Sequence, residues 1–474
     1  MKIIGREKEK NILNQCIDSS YPEFVALYGR RRVGKTFLIR EYFHDNFAFH
    51  LTGLSGEGMH TQLKYFDIAM KKYGNRDFEP AINWHVAFTN LIDMLEKTKR
   101  NERGKKIVFF DELAWLDTKR SGFLSALEHF WNDWGSRQKD LVLIICGSAS
   151  SWMTKKIFKS RGGFHNRVTK RIRLSPFSIK ECQAFFLDRN IDYDLLSLSE
   201  VYMVFGGIPY YLSLFERGLS VTQNIDELCF SENAPLENEF SELYRSLFNN
   251  ADKYINVVRT LNTKRKGLSR EEIIKATGMR SGGTLTDLLE DLEQSGFIIC
   301  YEDFSGKNER YLYRLTDLFT CFYLDYMSGR KPKDNRFWAN HRNEGKTHVW
   351  RGYAFETLCL LHTKQMKDAL GIAGVSTAVS TWRDPSSKSN LQIDLIFDRK
   401  DGILDLLEMK YADKEFVVDK AYAEKLIRRK DSFVNQTNAL KTIHQVLVTS
   451  IGLKTNSYSH IFHNVITLSE ILLR

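Results

Sequence analysis

The segment Gly29–Thr36 constrains the fold more than any other part of the chain. Its residues, GRRRVGKT, follow the apolar run Phe24–Tyr28 and open a helical pattern. A glycine-rich turn between a strand and a helix lets backbone N–H groups close around phosphate oxygens. Lys35 would reach the β- and γ-phosphates, and the Thr36 hydroxyl would be a ligand of Mg²⁺. We therefore predict that ATP or ADP binds at Gly29, Arg30, Arg31, Arg32, Val33, Gly34, Lys35, Thr36 and Phe37. The three arginines are equally open to pairing with nearby carboxylates.

Short apolar runs alternate with helical patterns through residues 1–175, as a parallel sheet covered by helices on both faces requires. The runs that read as strands are Phe24–Tyr28, Phe47–Leu51, Ile107–Phe110 and Leu141–Cys146. The predicted fold class is therefore α/β, with a P-loop parallel sheet over residues 1–175.

Two carboxylates, Asp111 and Glu112, stand at the end of the run Ile107–Phe110. At that position the first can hold Mg²⁺ and the second can orient the attacking water, so we assign Asp111 to the metal and Glu112 to the catalytic base. The alternative is an exposed acidic pair at the start of the next helix.

Composition limits the number of domains and the classes of partner. The 474 residues correspond to about three domains, and 69 Lys and Arg against 59 Asp and Glu give a net charge of +10, which favours polyanionic partners. Seven widely spaced cysteines without a CxxC pair read as buried thiols rather than disulfides or zinc ligands. No apolar run is long enough to span a bilayer, so we expect no membrane contact and a cytoplasmic protein.

The rest of the chain divides by pattern into four segments. Residues 176–250 read as a helical lid, 251–328 as a winged helix-turn-helix, 329–345 as a basic linker and 346–474 as a final α/β domain. The third helix of the winged helix is acidic, so DNA contact would use the first loop and the helix start. The cations there are Lys264, Arg265, Lys266, Arg270, Lys275 and Arg280. DNA binding and intramolecular packing are equally open for this segment.

The final domain carries its own group of charged residues. Glu356 lies on a helical pattern, Asp394 near the start of a strand, and Glu408 and Lys410 share one face of the next strand. Carboxylates at these positions can hold Mg²⁺, and the lysine can stabilise a developing phosphate charge. This arrangement resembles the PD-(D/E)xK nuclease core, with Gln436 as a fourth member. The alternative is a buried Glu408–Lys410 network in an inactive module.

Several motifs together resemble the archaeal-type ATPases related to AAA+ and STAND NTPases, with a DUF234-type C-terminal segment. These motifs are Ile4–Glu9, the Gly29–Thr36 loop, Gly147-Ser148, Leu174–Ser178 and Gly206–Leu212. The resemblance implies that Gly5 and Arg6 lie by the adenine, that Ser148 is a sensor, and that Pro209 brings the lid onto the nucleotide. Arg167 would be an arginine finger, which implies a homo-oligomer if it acts between subunits. Without the resemblance, Gly206-Gly207 is a helix break and Pro209 is a proline in the first turn of a helix. Arg167 would then belong to a basic cluster that is either a solvated face or a nucleic-acid contact.

The combined prediction is an ATP-binding and ATP-hydrolysing protein that uses Mg²⁺ and couples a nucleotide-gated module to DNA binding and to metal-dependent DNA cleavage. Lys35, Glu112, Arg167, Glu408 and Lys410 would be catalytic, and Thr36, Asp111, Glu356, Asp394 and Glu408 would bind metal. The alternative is a nucleotide switch that binds DNA or protein partners and has an inactive nuclease-like domain.

Overall fold

A computed structural model describes residues 2–74, 77–148, 150–159, 162–164, 166–248, 250–304, 310–329, 334–384 and 391–473. The chain forms two compact units, residues 1–176 and 177–474. Residues 330–333 of the predicted linker lie outside the described ranges. Within those ranges, no helix combines the length and apolar character needed to cross a bilayer.

The first unit is built on a five-stranded parallel sheet in the order β2-β3-β4-β1-β5. Its strands are β1 Glu23–Tyr28, β2 Phe49–Thr52, β3 Lys106–Asp111, β4 Leu141–Gly147 and β5 Lys170–Arg173. The central strands β1 and β4 are apolar and almost wholly buried, as expected when both faces of a parallel sheet are covered. The predicted α/β class with a parallel sheet is confirmed for this unit.

Helices cover this sheet on both faces. They are α1 Glu7–Asp18, α2 Lys35–Tyr42, α3 Met59–Lys72, α4 Trp84–Lys97, α5 Leu113–Leu116, α6 Phe123–His129 and α7 Ser150–Trp152, with π-helical turns at Phe130–Trp134 and Met153–Phe158 and a 3-10 turn at Gly135–Arg137. One large core joins α3, α4 and α6 to the sheet through Phe66, Trp84, Phe88, Phe110 and Phe123. This packing fixes the strand ends that carry the predicted site.

The second unit begins with five helices, α8 Ile179–Asp188, α9 Leu195–Phe205, α10 Pro209–Ser213, α11 Val221–Cys229 and α12 Glu239–Leu247. Ser178 caps α8, because its hydroxyl accepts from Glu181 N–H and the Glu181 carboxylate accepts from Ser178 N–H. The helices α13 Ala251–Thr263, α14 Arg270–Thr277 and α15 Gly283–Gln294 follow, with the short strand β6 Leu268–Ser269 and the paired strands β7 Ile298–Asp303 and β8 Arg310–Leu315.

The remaining elements complete this unit. They are α16 Leu318–Phe322, a π-helical turn Tyr323–Met327, α17 Phe337–His341, α18 Gly345–Leu361, α19 Thr363–Ala369, β9 Thr377–Arg383, β10 Gln392–Arg399, β11 Ile403–Lys410, α20 Lys420–Thr437, β12 Thr442–Thr449, a 3-10 turn Ser459–Ile461, β13 Asn464–Thr467 and α21 Leu468–Leu473.

One mixed sheet runs through most of the second unit, in the order β13-β12-β11-β10-β9-β7-β8-β6. Strand β7 pairs in parallel with β9, through Glu302 with Ser380 and Asp303 with Thr381. The sheet therefore crosses the boundary predicted between the winged helix and the final domain. The predicted domain boundaries themselves stay predictions.

The segment 329–345, predicted as a linker, is packed in its described part, residues 334–345. The Asp226 carboxylate of α11 accepts from the backbone N–H groups of Trp338 and Ala339, at 2.6 and 3.1 Å. Glu200 of α9 accepts from Trp338 Nε1, Arg342 and Arg351, at 3.0–3.1 Å. The buried carboxylates of Asp226 and Glu200 thus anchor this segment, although its polar composition predicted a linker.

Candidate nucleotide-binding site

The glycine-rich loop joins β1 to α2 at the carboxyl edge of the parallel sheet. Gly29 has φ +148°, and a Cβ there would lie 2.2 Å from the carbonyl oxygen of Leu174. Gly34 adopts φ +86° immediately before the first residue of α2. The loop thus needs glycine at both positions, at the first for space and at the second for its left-handed backbone.

Lys35 lies inside this loop and is only 5% exposed. Its ammonium donates to the carbonyl oxygens of Gly29 and Arg30, at 3.1 and 2.8 Å. Burial lowers the pKa of Lys35, although the nearby Cys146, Glu112 and Asp111 act in the opposite direction. The ammonium is therefore in place for phosphate oxygens, which are stronger acceptors than two neutral carbonyls.

Thr36 and Asp111 meet across the sheet edge. The Thr36 hydroxyl, in the first turn of α2, donates to Asp111 Oδ2 at 2.7 Å, and Asp111 ends strand β3. Asp111 is 3% exposed, and its Oδ1 accepts from Glu112 N–H at 2.9 Å. A hydroxyl and a carboxylate held together fit Mg²⁺, which takes few protein oxygens and completes its shell with water and phosphate. The sequence predicted this pair as metal ligands, and that role stays a prediction.

Glu112 is fixed by Ser148. Its carboxylate accepts from the Ser148 hydroxyl at 2.7 Å and from Ser148 N–H at 3.2 Å. Ser148 follows β4, whose last residue Gly147 pairs with Tyr28 at the start of the loop. Glu112 also has φ +48°, an unusual backbone for a residue with a side chain and one that occurs at functional sites. The structure thus brings Glu112 and Ser148 together beside the loop.

Arg6 braces the loop through backbone contacts. It donates to the carbonyl oxygens of Ser175, at 2.8 Å, and Val33, at 3.3 Å, and is 6% exposed. Gly5 and Arg6 both have positive φ, which turns the chain before α1. Of the other loop residues, Arg30 is buried, Arg31 and Arg32 are half-buried, and Phe37 is exposed on α2. The adenine role predicted for Gly5 and Arg6 stays a prediction.

Arg167 lies near the amino-terminal ends of the strands, whereas the glycine-rich loop follows their carboxyl-terminal ends. It is exposed and precedes β5, in which Lys170 pairs with Val25 and Arg173 with Tyr28. Because parallel strands rise about 3.3 Å per residue, the start of β5 is roughly 10 Å or more from the loop along the strand direction. The structure does not bring Arg167 to the loop of its own chain. Pro209 is the first residue of α10 in the second unit, and its predicted role stays a prediction.

The second unit brings together the three carboxylates predicted as metal ligands, but with cations. The Asp394 carboxylate pairs with Lys266 at 3.2 Å, and Glu356 pairs with Arg314 at 3.4 Å. Glu408 pairs with Lys410 at 2.8 Å and also with Arg429 and the Tyr422 hydroxyl. Burial of Glu356, followed by the negative charge of Asp394, raises the pKa of Glu356 to about 7.

The pairings of Glu408 exceed what the sequence indicated. Burial alone would raise its pKa, but the positive charges of Arg429 and Lys410 hold it well below the ordinary range. Tyr422 and Arg429 are seven residues apart on α20, and this two-turn spacing puts them on one face. Gln436, predicted as a fourth member, instead donates to Asp384 at 2.8 Å.

These residues do not fit a metal ion in the observed arrangement. Across the described ranges, no three His, Cys, Asp or Glu side chains are grouped so as to hold one. Each of Glu356, Asp394 and Glu408 is instead neutralised by a protein cation. Their predicted role as metal ligands stays a prediction, and sequence spacing did not show that Lys266, Arg314 and Arg429 would pair with them.

Comparisons with known proteins agree with the geometry of the first unit. Residues 3–215 match a family model described as an ATPase domain predominantly from Archaea. An uncharacterized protein of Methanocaldococcus jannaschii, MJECL04, is 27% identical over 331 residues, which is 68% of each chain. Over these residues the chain is therefore similar to ATPase domains of the archaeal type, as the sequence predicted.

Solved structures show weaker likenesses. The Walker-type ATPase PABY2304 of Pyrococcus abyssi aligns with 68% of this chain and 96% of its own, at 19% identity and a TM-score of 0.47. The ORC2 protein of Aeropyrum pernix, solved with ADPNP and ADP, aligns with 69% of this chain and 94% of its own, at 13% identity and a TM-score of 0.40.

Proposed function

We propose that this chain binds ATP at the Gly29–Thr36 loop and hydrolyses it with Glu112 as the base. The contact between Thr36 and Asp111 carries the proposal, because it sets two oxygen ligands beside the phosphate-binding lysine. Mg²⁺, when bound, would neutralise charge on the phosphates, and Thr36 and Asp111 would hold it. Lys35 would donate to the β- and γ-phosphate oxygens.

Glu112 orients the attacking water and takes its proton in this proposal. The two donors of Ser148 hold one carboxylate rotamer at the carboxyl edge of the sheet. A base positioned by a second residue loses less entropy at the moment of reaction than a freely rotating side chain. Ser148 is thus a positioning residue, which agrees with its predicted sensor role.

ATP affinity tests the phosphate site. Replacement of Lys35 by alanine should weaken ATP binding by about 100-fold, because it removes a charge-assisted donor from a buried site. Lys64→Ala, an exposed lysine on α3, is the matched control and should bind ATP normally. Unchanged ATP affinity in Lys35→Ala would exclude this site.

A role for Arg167 as an arginine finger requires a second copy of this chain. The glycine-rich loop of the same chain follows the carboxyl-terminal ends of the strands, and Arg167 precedes the amino-terminal end of β5. We include oligomerisation in the proposal on this ground. Arg167→Ala should then lower turnover only at protein concentrations where sedimentation shows an oligomer. An equal loss in the monomer would contradict a role between subunits.

We further propose that the second unit binds DNA through its three helices α13–α15 and the β7–β8 pair, in the order typical of a winged helix. Three of the cations predicted for this contact form ion pairs: Lys264 with Glu272, Arg265 with Asp325 and Lys266 with Asp394. The start of α15 instead lines an open cavity of about 550 Å³, which also includes Lys253 and Arg280. We therefore place the proposed phosphate contacts at Lys253 and at Arg280, which was among the predicted cations.

The salt dependence of DNA affinity tests this interface. Each lost phosphate contact should reduce the slope of log affinity against log salt by about 1, so Lys253→Ala with Arg280→Ala should reduce it by about 2. Lys264→Ala, which removes a cation already paired with Glu272, should leave the slope unchanged. A double variant with the wild-type slope would place DNA elsewhere or exclude it.

For the nuclease-like residues, the cation pairing favours the alternative of an inactive module over metal-dependent cleavage. The test is incubation of supercoiled and linear DNA with Mg²⁺ or Mn²⁺, with and without ATP, beside a Glu408→Gln, Lys410→Met double variant. We expect no cleavage that distinguishes the wild type from this variant. Metal-dependent cuts that the variant loses would restore the nuclease function.

A further inference from the structure

The carboxylates Glu356, Asp394 and Glu408 come from α18, β10 and β11, and a lysine from another part of the unit reaches them. Lys266 lies in the turn between α13 and β6, 128 residues before Asp394 in sequence. Its ammonium donates to Asp394 Oδ1 at 3.2 Å. The Lys266 side chain is 34% exposed and that of Asp394 is 5% exposed, so the ammonium closes the cluster from the solvent side.

All three carboxylates act on this ammonium. Burial would lower the pKa of Lys266, but the negative charges of Asp394, Glu356 and Glu408 together raise it above its ordinary value. A compact ammonium with three donors is the protein group closest to a small cation in charge density. Lys266 thus lies where a cation bound by Asp394 would lie, close enough to Glu356 and Glu408 for their charges to act on it.

The other cations take different places. Arg314 of β8 contacts Glu356 from within the core and also donates to the Thr357 hydroxyl at 3.2 Å. Arg429 contacts Glu408 and donates to the carbonyl oxygen of Gln392 at 3.1 Å. Asp394 has Lys266 as its ion-pair partner among the described residues, which leaves that lysine as the group that a metal ion would displace.

The backbone of the lysine turn is itself fixed. The carbonyl oxygen of Lys266 accepts from the Tyr301 hydroxyl at 2.8 Å and from Arg383 at 3.0 Å. Tyr301 belongs to β7 and Arg383 to β9, the strands that pair where the sheet crosses between the two halves of the unit. The ammonium therefore reaches Asp394 from an anchored position rather than from a free loop.

We propose that Lys266 is a built-in cation that replaces a divalent metal in the Glu356, Asp394 and Glu408 cluster, and that the cluster clamps the α13–β6 turn to the C-terminal strands. A tethered ammonium carries no entropy loss for capture from solution, so it competes strongly with free ions. This inference deepens the inactive-module part of the proposed function and is independent of ATP hydrolysis.

Mn²⁺ binding by the full chain without nucleotide tests this proposal, with electron paramagnetic resonance as the readout. Only Mn²⁺ binding that is lost in Asp394→Asn is assigned to the cluster. Mn²⁺ bound by Thr36 and Asp111 would not depend on Asp394. The wild type and the control Lys264→Met should show no such binding. Lys266→Met should gain one Asp394-dependent Mn²⁺ per chain, at Mn²⁺ concentrations at least about tenfold below the highest at which the wild type shows none.

Two results would overturn the proposal. One is Asp394-dependent Mn²⁺ binding by the wild type, and the other is a folded Lys266→Met chain, with wild-type circular dichroism, that gains none. If Lys266→Met does not fold, the thermal shift of the wild type with MnCl₂ decides. The proposal expects the same shift in the wild type and in Asp394→Asn, and a shift confined to the wild type contradicts it. ATP affinity and DNA cleavage are measured separately and can fail without affecting this result.

Discussion

The Thr36 hydroxyl donates to Asp111 Oδ2 at 2.7 Å, which joins the first turn of α2 to the end of β3. The contact links residues that are 75 positions apart in sequence. In the sheet, strand β4 lies between β3, which ends at Asp111, and β1, which precedes the loop and α2. The parallel topology places both strand ends at one edge. The proposed metal ligands are thus arranged by the sheet itself.

Asp111→Asn should lower Mg²⁺-dependent ATP turnover by about 100-fold or more, because an amide keeps the size and one hydrogen bond but loses the charge that a metal ion needs. Measurement of phosphate release against Mg²⁺ concentration checks this. Asp140→Asn, whose carboxylate pairs with Arg100 and Lys106, is the control and should retain turnover. Wild-type turnover in Asp111→Asn would remove this residue from the metal site.

Two glycine substitutions distinguish steric exclusion from backbone strain. Gly29→Ala puts a Cβ 2.2 Å from the Leu174 carbonyl oxygen, whereas Gly34→Ala meets nothing within 4 Å and only strains a residue at φ +86°. We expect Gly34→Ala to lower the free energy of unfolding by about 1–2 kcal/mol and Gly29→Ala by about 3 kcal/mol or more. Thermal unfolding of both variants is the measurement. Equal losses would mean that Leu174 yields to the added methyl group.

His362 makes the stability of the second unit depend on pH. Its Nε2 accepts from Ile179 N–H at 3.1 Å and its Nδ1 contacts the Leu358 carbonyl oxygen at 2.8 Å, a pattern that uses both nitrogens of the neutral ring. Burial lowers its pKa below 6.5, with the Leu358 carbonyl and Glu181 acting in the opposite direction.

Because the folded pKa of His362 is the lower one, its contribution to stability is complete above pH 6.5 and declines as the pH falls, when the unfolded chain takes up the proton first. We expect a decline of up to about 1.4 kcal/mol per pH unit below pH 6.5. Urea unfolding of the wild type and His362→Gln should show the difference, with exposed His348→Gln as control. Identical pH profiles in the wild type and His362→Gln would contradict this role.

Glu200 should stabilise the segment 334–345. Its carboxylate is buried and accepts from Trp338, Arg342 and Arg351, so Glu200→Gln leaves Arg351 buried without its charge partner. We expect a loss of about 3 kcal/mol in the free energy of unfolding, measured by denaturant. Glu344→Gln, a half-exposed carboxylate in the same segment, should change it by less than about 0.5 kcal/mol. A near-neutral Glu200→Gln would show that packing alone holds the segment.

Local patterns were sufficient to predict which residues of the first unit come together around the glycine-rich loop. Four strands of the first sheet and the residues Lys35, Thr36, Asp111 and Glu112 follow from short stretches of sequence, because a buried strand and the loop after it are adjacent in the chain. Strand β5 was missed, since KRIR has three charged residues and only Ile172 is buried. An edge strand of that composition has no apolar run to mark it.

Long-range pairing could not be predicted in the same way. The contacts of Lys266 with Asp394 and of Glu302 with Ser380 join residues that are far apart in sequence, and no spacing rule relates them. The sequence placed carboxylates on the correct strands but did not show which cations would meet them. Trp338 is fully buried, although the polar composition of its segment predicted a linker. Its partners Asp226 and Glu200 lie on earlier helices, so the sequence around Trp338 does not reveal them.

ATP turnover by Glu112→Gln tests the central claim most directly. The proposal predicts phosphate release by the wild type with Mg²⁺ and ATP, and a decrease of about 10²- to 10⁴-fold in Glu112→Gln, with ATP affinity changed by less than about threefold. Glu128→Gln, on α6, is the control variant and should retain turnover. No phosphate release by the wild type, or equal rates in the wild type and Glu112→Gln, would contradict the claim that this site hydrolyses ATP with Glu112 as its base.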